Sequence, residues 1–230
     1  MSTTQTHRLV TVAHGTRKTS GNAVARELTE RAGERLGLSA RCSYVELSEP
    51  LFADVVAASA EPTVVVPLLL STGFHLRHDL PQMARGAGGP LMLGRPLGPH
   101  RLVAQAQLER LVAAGAAPGA GRLVLVAAGS SDPLATRDLT RAAELLARLW
   151  GSPVPVATLT ALGRRPAEVL RPGDVVSPYL LSPGFFADRA RREALAAGAS
   201  VVADVIGVHD LVVELIAARA TALAQARVPA

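Results

Sequence analysis

The chain has 230 residues, with 24 basic and 19 acidic side chains giving a net charge of +5, and a single cysteine. That length buries a core without staples, and Cys42 alone excludes an intrachain disulfide framework and a Cys-rich zinc site, its apolar flanks predicting a buried, inert thiol. Apolar runs such as "TVVVPLLL" fall far short of the roughly 20 residues that span a bilayer, "MSTTQTHR" lacks a signal-peptide apolar region, and basic runs no longer than "ARRE" argue against a nucleic-acid surface.

The expected protein is therefore soluble and cytoplasmic, with no membrane or nucleic-acid partner. A small anionic ligand suits the basic balance, although an arginine bias with Lys18 as the only lysine also follows from genome composition.

In chain order, "HRLVTVA" reads as a strand and "GNAVARELTERAGERLG" as an amphipathic helix stopping at Gly37. "RCSYVEL" is the next strand, "PLFADVVAAS" a helix, "PTVVVPLLL" a buried strand, and "PLMLGR" a short strand before the helix "PHRLVAQAQLERLVAAG". Strands alternating with helices predict parallel units with right-handed crossovers.

The second half replays this order. "RLVLVAAGSSDP" echoes "RLVTVAHGTRKT", and the helix "ATRDLTRAAELLARLWG" and strands "PVPVATL" and "DVVSPYLL" follow. "LLSPGFF" then echoes "LLSTGFH", before a strand "SVVADVIG" and a helix "HDLVVELIAARATALAQA". The fold class expected is α/β, two similar lobes of parallel sheet flanked by helices and related by internal duplication. The lobes span residues 1–115 and 120–230, joined by the linker "AAGAAPGAGR".

The halves differ at a few polar positions. Ala128 stands where the first half has His14, Phe186 where it has His75, and "YVEL" laid over "VATL" sets Thr158 opposite Glu46. His14 follows the first strand, Glu46 ends the second, and His75 lies just beyond the third. In a 2-1-3-4 strand order these three reach one crevice at the carboxyl edge of the sheet. Imidazole and carboxylate suit a borderline divalent ion, with the carboxylate as ligand or proton acceptor.

Plainer roles compete. A single histidine after a strand is more often a hydrogen-bonded loop residue than a ligand. Asp79 before "LPQMAR" reads as a helix N-cap, and Glu49 as a first-turn residue of a helix capped by Ser48. His7, His100 and His209 read as structural or exposed. Gly15 and Gly73 read as turns, Gly73 also letting a flat ligand approach.

Taken together, "VTVAHGTR", "SYVELSEP" and "VVVPLLLSTGFHLRHDLP" resemble the signature segments of the class II chelatases, which insert a divalent metal into sirohydrochlorin for siroheme or cobalamin synthesis. The resemblance covers nearly the whole chain, since long members of that family are internally duplicated. It implies two chelatase lobes facing a tetrapyrrole-sized cleft, a lyase without organic cofactor, and Fe²⁺, Co²⁺ or Ni²⁺ as substrate. Carried over by position, it makes His14 and His75 the metal-handling histidines and Glu46 the assisting acid or base.

The family's substrate bears eight carboxylates, for which Arg17 and Arg77 are candidate partners. Gly73 and Phe74 would line the substrate, and His78 would serve as an auxiliary ligand for the arriving metal. Phe185 and Phe186 would fill the core between the lobes. The departures "VAAG" and "PGFF" imply one active site, and duplication within one chain favours a monomer. The rival readings are a non-catalytic metal carrier or tetrapyrrole-binding protein and a histidine phosphatase built on "AHGTR".

Overall fold

A computed structural model describes residues 7–73 and 75–226. The first sheet is formed by β1 (Arg8–Ala13), β2 (Ala40–Tyr44), β3 (Thr63–Pro67) and β4 (Leu91–Leu93). All its pairings are parallel and the order is β2-β1-β3-β4, as the alternating sequence predicts. β3 is buried along its whole length, which is why "TVVVP" reads as a continuous apolar run instead of an alternating one.

Helix α1 (Thr19–Leu36) follows β1 and stops where Gly37 adopts φ 64°. The Gly37 N–H there donates to the Glu34 carbonyl at 3.2 Å and the Leu38 N–H to Gly33 at 3.1 Å. Helix α2 (Phe52–Ala57) follows β2. After β3 the chain enters a π-helical turn, His75–Asp79, that runs directly into α3 (Leu80–Ala84). Helix α4 (Arg101–Ala113) follows β4.

The second sheet repeats the plan with β5 (Leu123–Ala127), β6 (Val156–Thr158), β7 (Val175–Tyr179) and β8 (Val201–Val202), again parallel and in the order β6-β5-β7-β8. Its helices are α5 (Pro133–Trp150), α6 (Pro166–Val169), α7 (Phe185–Ala196) and α8 (Asp210–Gln225). The sequence reading lacked α6 and α7. No helix among the described residues is long and apolar enough to cross a membrane.

Two compact units result, and they are discontinuous in sequence. One comprises the described parts of Met1–Leu69, Phe74–Leu97 and Val212–Ala230, the other Leu70–Gly73 and Gly98–Leu211. Helix α4 thus counts with the second sheet, and most of α8 with the first.

Several local expectations are corrected. Ser48 does not cap α2, whose N-cap is Leu51; the Glu49 carboxylate instead accepts from the Leu51 N–H at 3.0 Å. Asp79 stands at the N-cap of α3 but with helical φ/ψ of −70° and −50° and no capping bond from its side chain, because the π-helical turn already delivers the chain in helical conformation. Cys42 is half-buried, since β2 is an edge strand whose first three residues are only partly covered. Phe185 and Phe186 are 66% and 37% exposed and meet edge to face at 5.4 Å, so they do not fill a core.

Candidate functional site

β1 and β2 end side by side, with Ala13 paired to Tyr44. The pairing continues into the loops, where the Val45 N–H donates to the Ala13 carbonyl at 2.9 Å and the Glu46 N–H to His14 at 3.2 Å. Glu46 therefore lies two residues beyond β2, level with His14 at the carboxyl edge of the sheet. Its Oε1 is 3.6 Å from His14 Nε2, and both side chains are about half exposed.

His14 Nδ1 lies 3.3 Å from the Gly15 carbonyl. With the ring proton on that nitrogen, Nε2 turns its lone pair toward the carboxylate side. Two electron-pair donors so arranged suit a cation placed between them. Around one tetrahedral ion with bonds near 2.1 Å, two ligand atoms stand about 3.4 Å apart, close to the distance observed.

Gly15 makes this approach possible. It adopts φ +96°, and a Cβ placed on it would lie 1.9 Å from the Glu46 carbonyl oxygen. Only glycine combines that dihedral with that contact. The second sheet repeats the arrangement at Gly129, φ +94°, whose added Cβ would meet the Thr160 oxygen at 2.2 Å.

This corrects the internal alignment. Ala127 pairs with Thr158 as Ala13 pairs with Tyr44, and Leu47 and Ala161 share a positive φ, 64° and 53°. Thr160, not Thr158, is the counterpart of Glu46. The sequence comparison slipped because β2 ends two residues earlier than its apolar pattern implies. The counterpart of His14 remains Ala128.

Asn22, which the sequence reading missed, ties the two loops together from the first turns of α1. Its Oδ1 accepts from the Thr16 N–H at 3.1 Å, and its Nδ2 donates to the Thr16 carbonyl at 2.7 Å and to Ser48 Oγ. Its backbone carbonyl accepts the Tyr44 hydroxyl at 3.2 Å. A weak helix former buried on the inner face of α1 was the available signal.

Of the remaining candidates, Arg17, Arg77 and His78 are exposed and Gly73 is half-buried. His75 opens the π-helical turn, a feature often found at functional sites. Its side chain, and all of Phe74, lie outside the described residues. Among the described residues no group of three or more His, Cys, Asp or Glu is placed to hold a metal ion.

Gly73 and Gly184 precede corresponding segments, so Phe186 answers to His75 as expected, counting on from Pro67 and Pro178, which pair with Val12 and Val126. His100 and His209 are equivalent as well. Each ring Nδ1 accepts from the N–H two residues on, at 3.2 and 3.3 Å, at the start of α4 and α8. The histidines present in both repeats cap helices.

The family model described as CbiX matches residues 8–114 and again residues 122–223. The chain belongs to the CbiX family, the class II chelatases that its motifs resemble. A sirohydrochlorin ferrochelatase of Bacillus subtilis is 32% identical, across 79% of this chain and 77% of its own length. SirB from Bacillus subtilis with Fe³⁺ superposes with a TM-score of 0.82 at 29% identity, covering 96% of both chains. A cobalt complex of the sirohydrochlorin chelatase SirB from Bacillus subtilis subspecies spizizenii gives 0.80 at 27%, with the same coverage.

Proposed function

We propose that this chain is a sirohydrochlorin chelatase, a lyase inserting Fe²⁺ or Co²⁺ into the free-base macrocycle for siroheme or cobalamin synthesis, acting as a cytoplasmic monomer without organic cofactor. The observation that carries the reading is the His14–Glu46 pair, 3.6 Å apart at the carboxyl edge of one sheet and replaced by Ala128 and Thr160 in the other. The sirohydrochlorin, iron and cobalt named for the Bacillus relatives support the same reading.

Insertion replaces two pyrrole N–H bonds by bonds to the metal and releases two protons. His14 and His75 hold the incompletely coordinated ion, and Glu46 accepts a pyrrole proton as the ring nitrogens take over the metal. Holding ion and macrocycle together makes the exchange effectively unimolecular. The half-exposed setting of His14 and Glu46 gives the released protons a path to water.

The test is anaerobic incubation with sirohydrochlorin and Fe²⁺, Co²⁺ or Ni²⁺ in turn, following the macrocycle's absorption. Wild type should convert the spectrum, while His14→Ala and His75→Ala lose about 100-fold or more of the rate with unchanged circular dichroism. Full activity of His14→Ala would remove the pair from the mechanism.

A further inference from the structure

Helices α4 and α8 are repeat counterparts, each entered through its histidine cap. Arg110 and Arg219 each lie ten residues beyond that cap. Arg110 is engaged: its Nε donates to the Ile206 carbonyl and its Nη2 to Val208, both at 2.9 Å, in the loop after β8.

Arg219 lies on α8 in the first unit, one turn before Leu223. There α8 packs so closely that a Cβ on Gly94 would lie 2.9 Å from Leu223 Cδ1. Among the described residues the buried Nε of Arg219 has no hydrogen-bond partner. Leaving a buried donor unsatisfied costs about 1–3 kcal/mol, more for a charged group.

The neighbouring residue deepens the contrast. Gly94 and Ala203 make the same bond to the preceding strand, their N–H groups donating to Val65 at 2.8 Å and Val176 at 3.0 Å. The next residues therefore correspond, and they are Arg95 in the first unit and Asp204 in the second. Burial first, and Arg95 second, push the Arg219 guanidinium below its ordinary value. Where one repeat has an acid and a satisfied arginine, the other sets two arginines together and leaves one donor unmet.

We infer that Arg95 and Arg219 form a binding site for a carboxylate, and that the ligand is a peripheral carboxylate of the tetrapyrrole substrate. The assignment rests on the proposed function. Arg95 follows the carboxyl end of β4, two strands from β1 in the sheet order, or about 10 Å at ordinary strand spacing. A macrocycle presented to His14 thus has this pair toward its periphery. A guanidinium binds a carboxylate through paired N–H donors, and one carboxylate between two guanidiniums brings the opposite charge to both.

The decisive measurement is a spectroscopic titration with sirohydrochlorin, beside steady-state metal insertion. Arg95→Asp, which restores the sign found in the second unit, and Arg219→Gln should each raise Kd and KM for sirohydrochlorin roughly tenfold or more. The KM for metal should stay the same and kcat should change less than about threefold. Wild-type affinity in both variants would overturn the site.

A wild-type protein that binds no sirohydrochlorin would sink the functional reading instead. The anion site is then judged by citrate, which should raise the melting temperature of wild type and not of Arg95→Asp. Equal shifts in the two would reject it.

Discussion

The rims of the two sheets share a backbone and differ in what they attach to it. At both, a glycine with φ near +95° lets the neighbouring loop cross in contact, and a non-glycine residue with positive φ turns that loop back. On the first rim the chain sets His14 and Glu46 facing each other. On the second, Ala128 and Thr160 occupy those positions, and the Thr160 hydroxyl donates back to the Ala128 carbonyl at 2.8 Å.

The braces differ too. Asn22 holds the first rim from the adjacent helix, joining both loops while leaving the carboxylate outside its network. On the second rim Arg165 fills the turn itself, donating to the carbonyls of Thr158, Thr160, Ala161 and Gly163. One rim uses its polar groups to hold its own turn; the other sets a histidine and a carboxylate together, both about half exposed. Duplication preserves the turn geometry because glycine and crossing loop demand it, while side chains beyond the turn are free to diverge.

The sharpest way to break this comparison is at the shared glycines. Gly15→Ala and Gly129→Ala each force a Cβ into a carbonyl oxygen and should each cost on the order of 3 kcal/mol in urea unfolding. Only Gly15→Ala should also abolish metal insertion by the protein that remains folded. Equal activity losses would mean that the second rim takes part in chemistry after all.

A smaller effect separates the braces. Asn22→Ala should cost about 2 kcal/mol through its lost buried hydrogen bonds and slow insertion roughly tenfold as the His14–Glu46 spacing loosens. Arg165→Ala should lower stability and leave kcat unchanged. If Asn22→Ala retains wild-type kcat, the clamp is structural only.

The smallest expected effect concerns the two tyrosines, one per sheet. Burial, then the neighbouring Cys42, pushes the Tyr44 hydroxyl up to about 12. Burial, then Asp138, raises that of Tyr179 as well, and it donates to the Leu70 carbonyl at 2.8 Å. Above its ordinary value near 10, an unfolded tyrosine releases a proton that the folded chain retains. Stability fully present below about pH 10 should therefore fall as pH rises toward 12. Tyr44→Phe should flatten the part of that fall due to the first sheet, and an unchanged curve would show that Tyr44 contributes nothing to it.

The fold was legible because parallel strands buried on both faces appear as unbroken β-branched runs, and because the duplication let each half check the other. His14 was legible for the same reason, since Ala128 occupies its position in an otherwise similar motif. The register of Glu46 was not, because Val45 stays buried beyond the end of β2 and extends the apparent strand. Asn22, whose one signal was a weak helix former within a helical pattern, and Arg219 escaped for a different reason. Their significance lies in bonds made or missing between separate elements, which the pattern of one element does not encode.

The exchange of terminal helices between the units has a consequence for how the protein is made. The unit carrying His14 and Glu46 draws on chain beyond Val212, so it cannot be complete when its own strands leave the ribosome. The intervening unit is synthesised in full before α8 arrives to pack over Gly94. Domains ordinarily fold as they emerge, N-terminal first; here the first-made sheet must wait for a helix made after the second sheet.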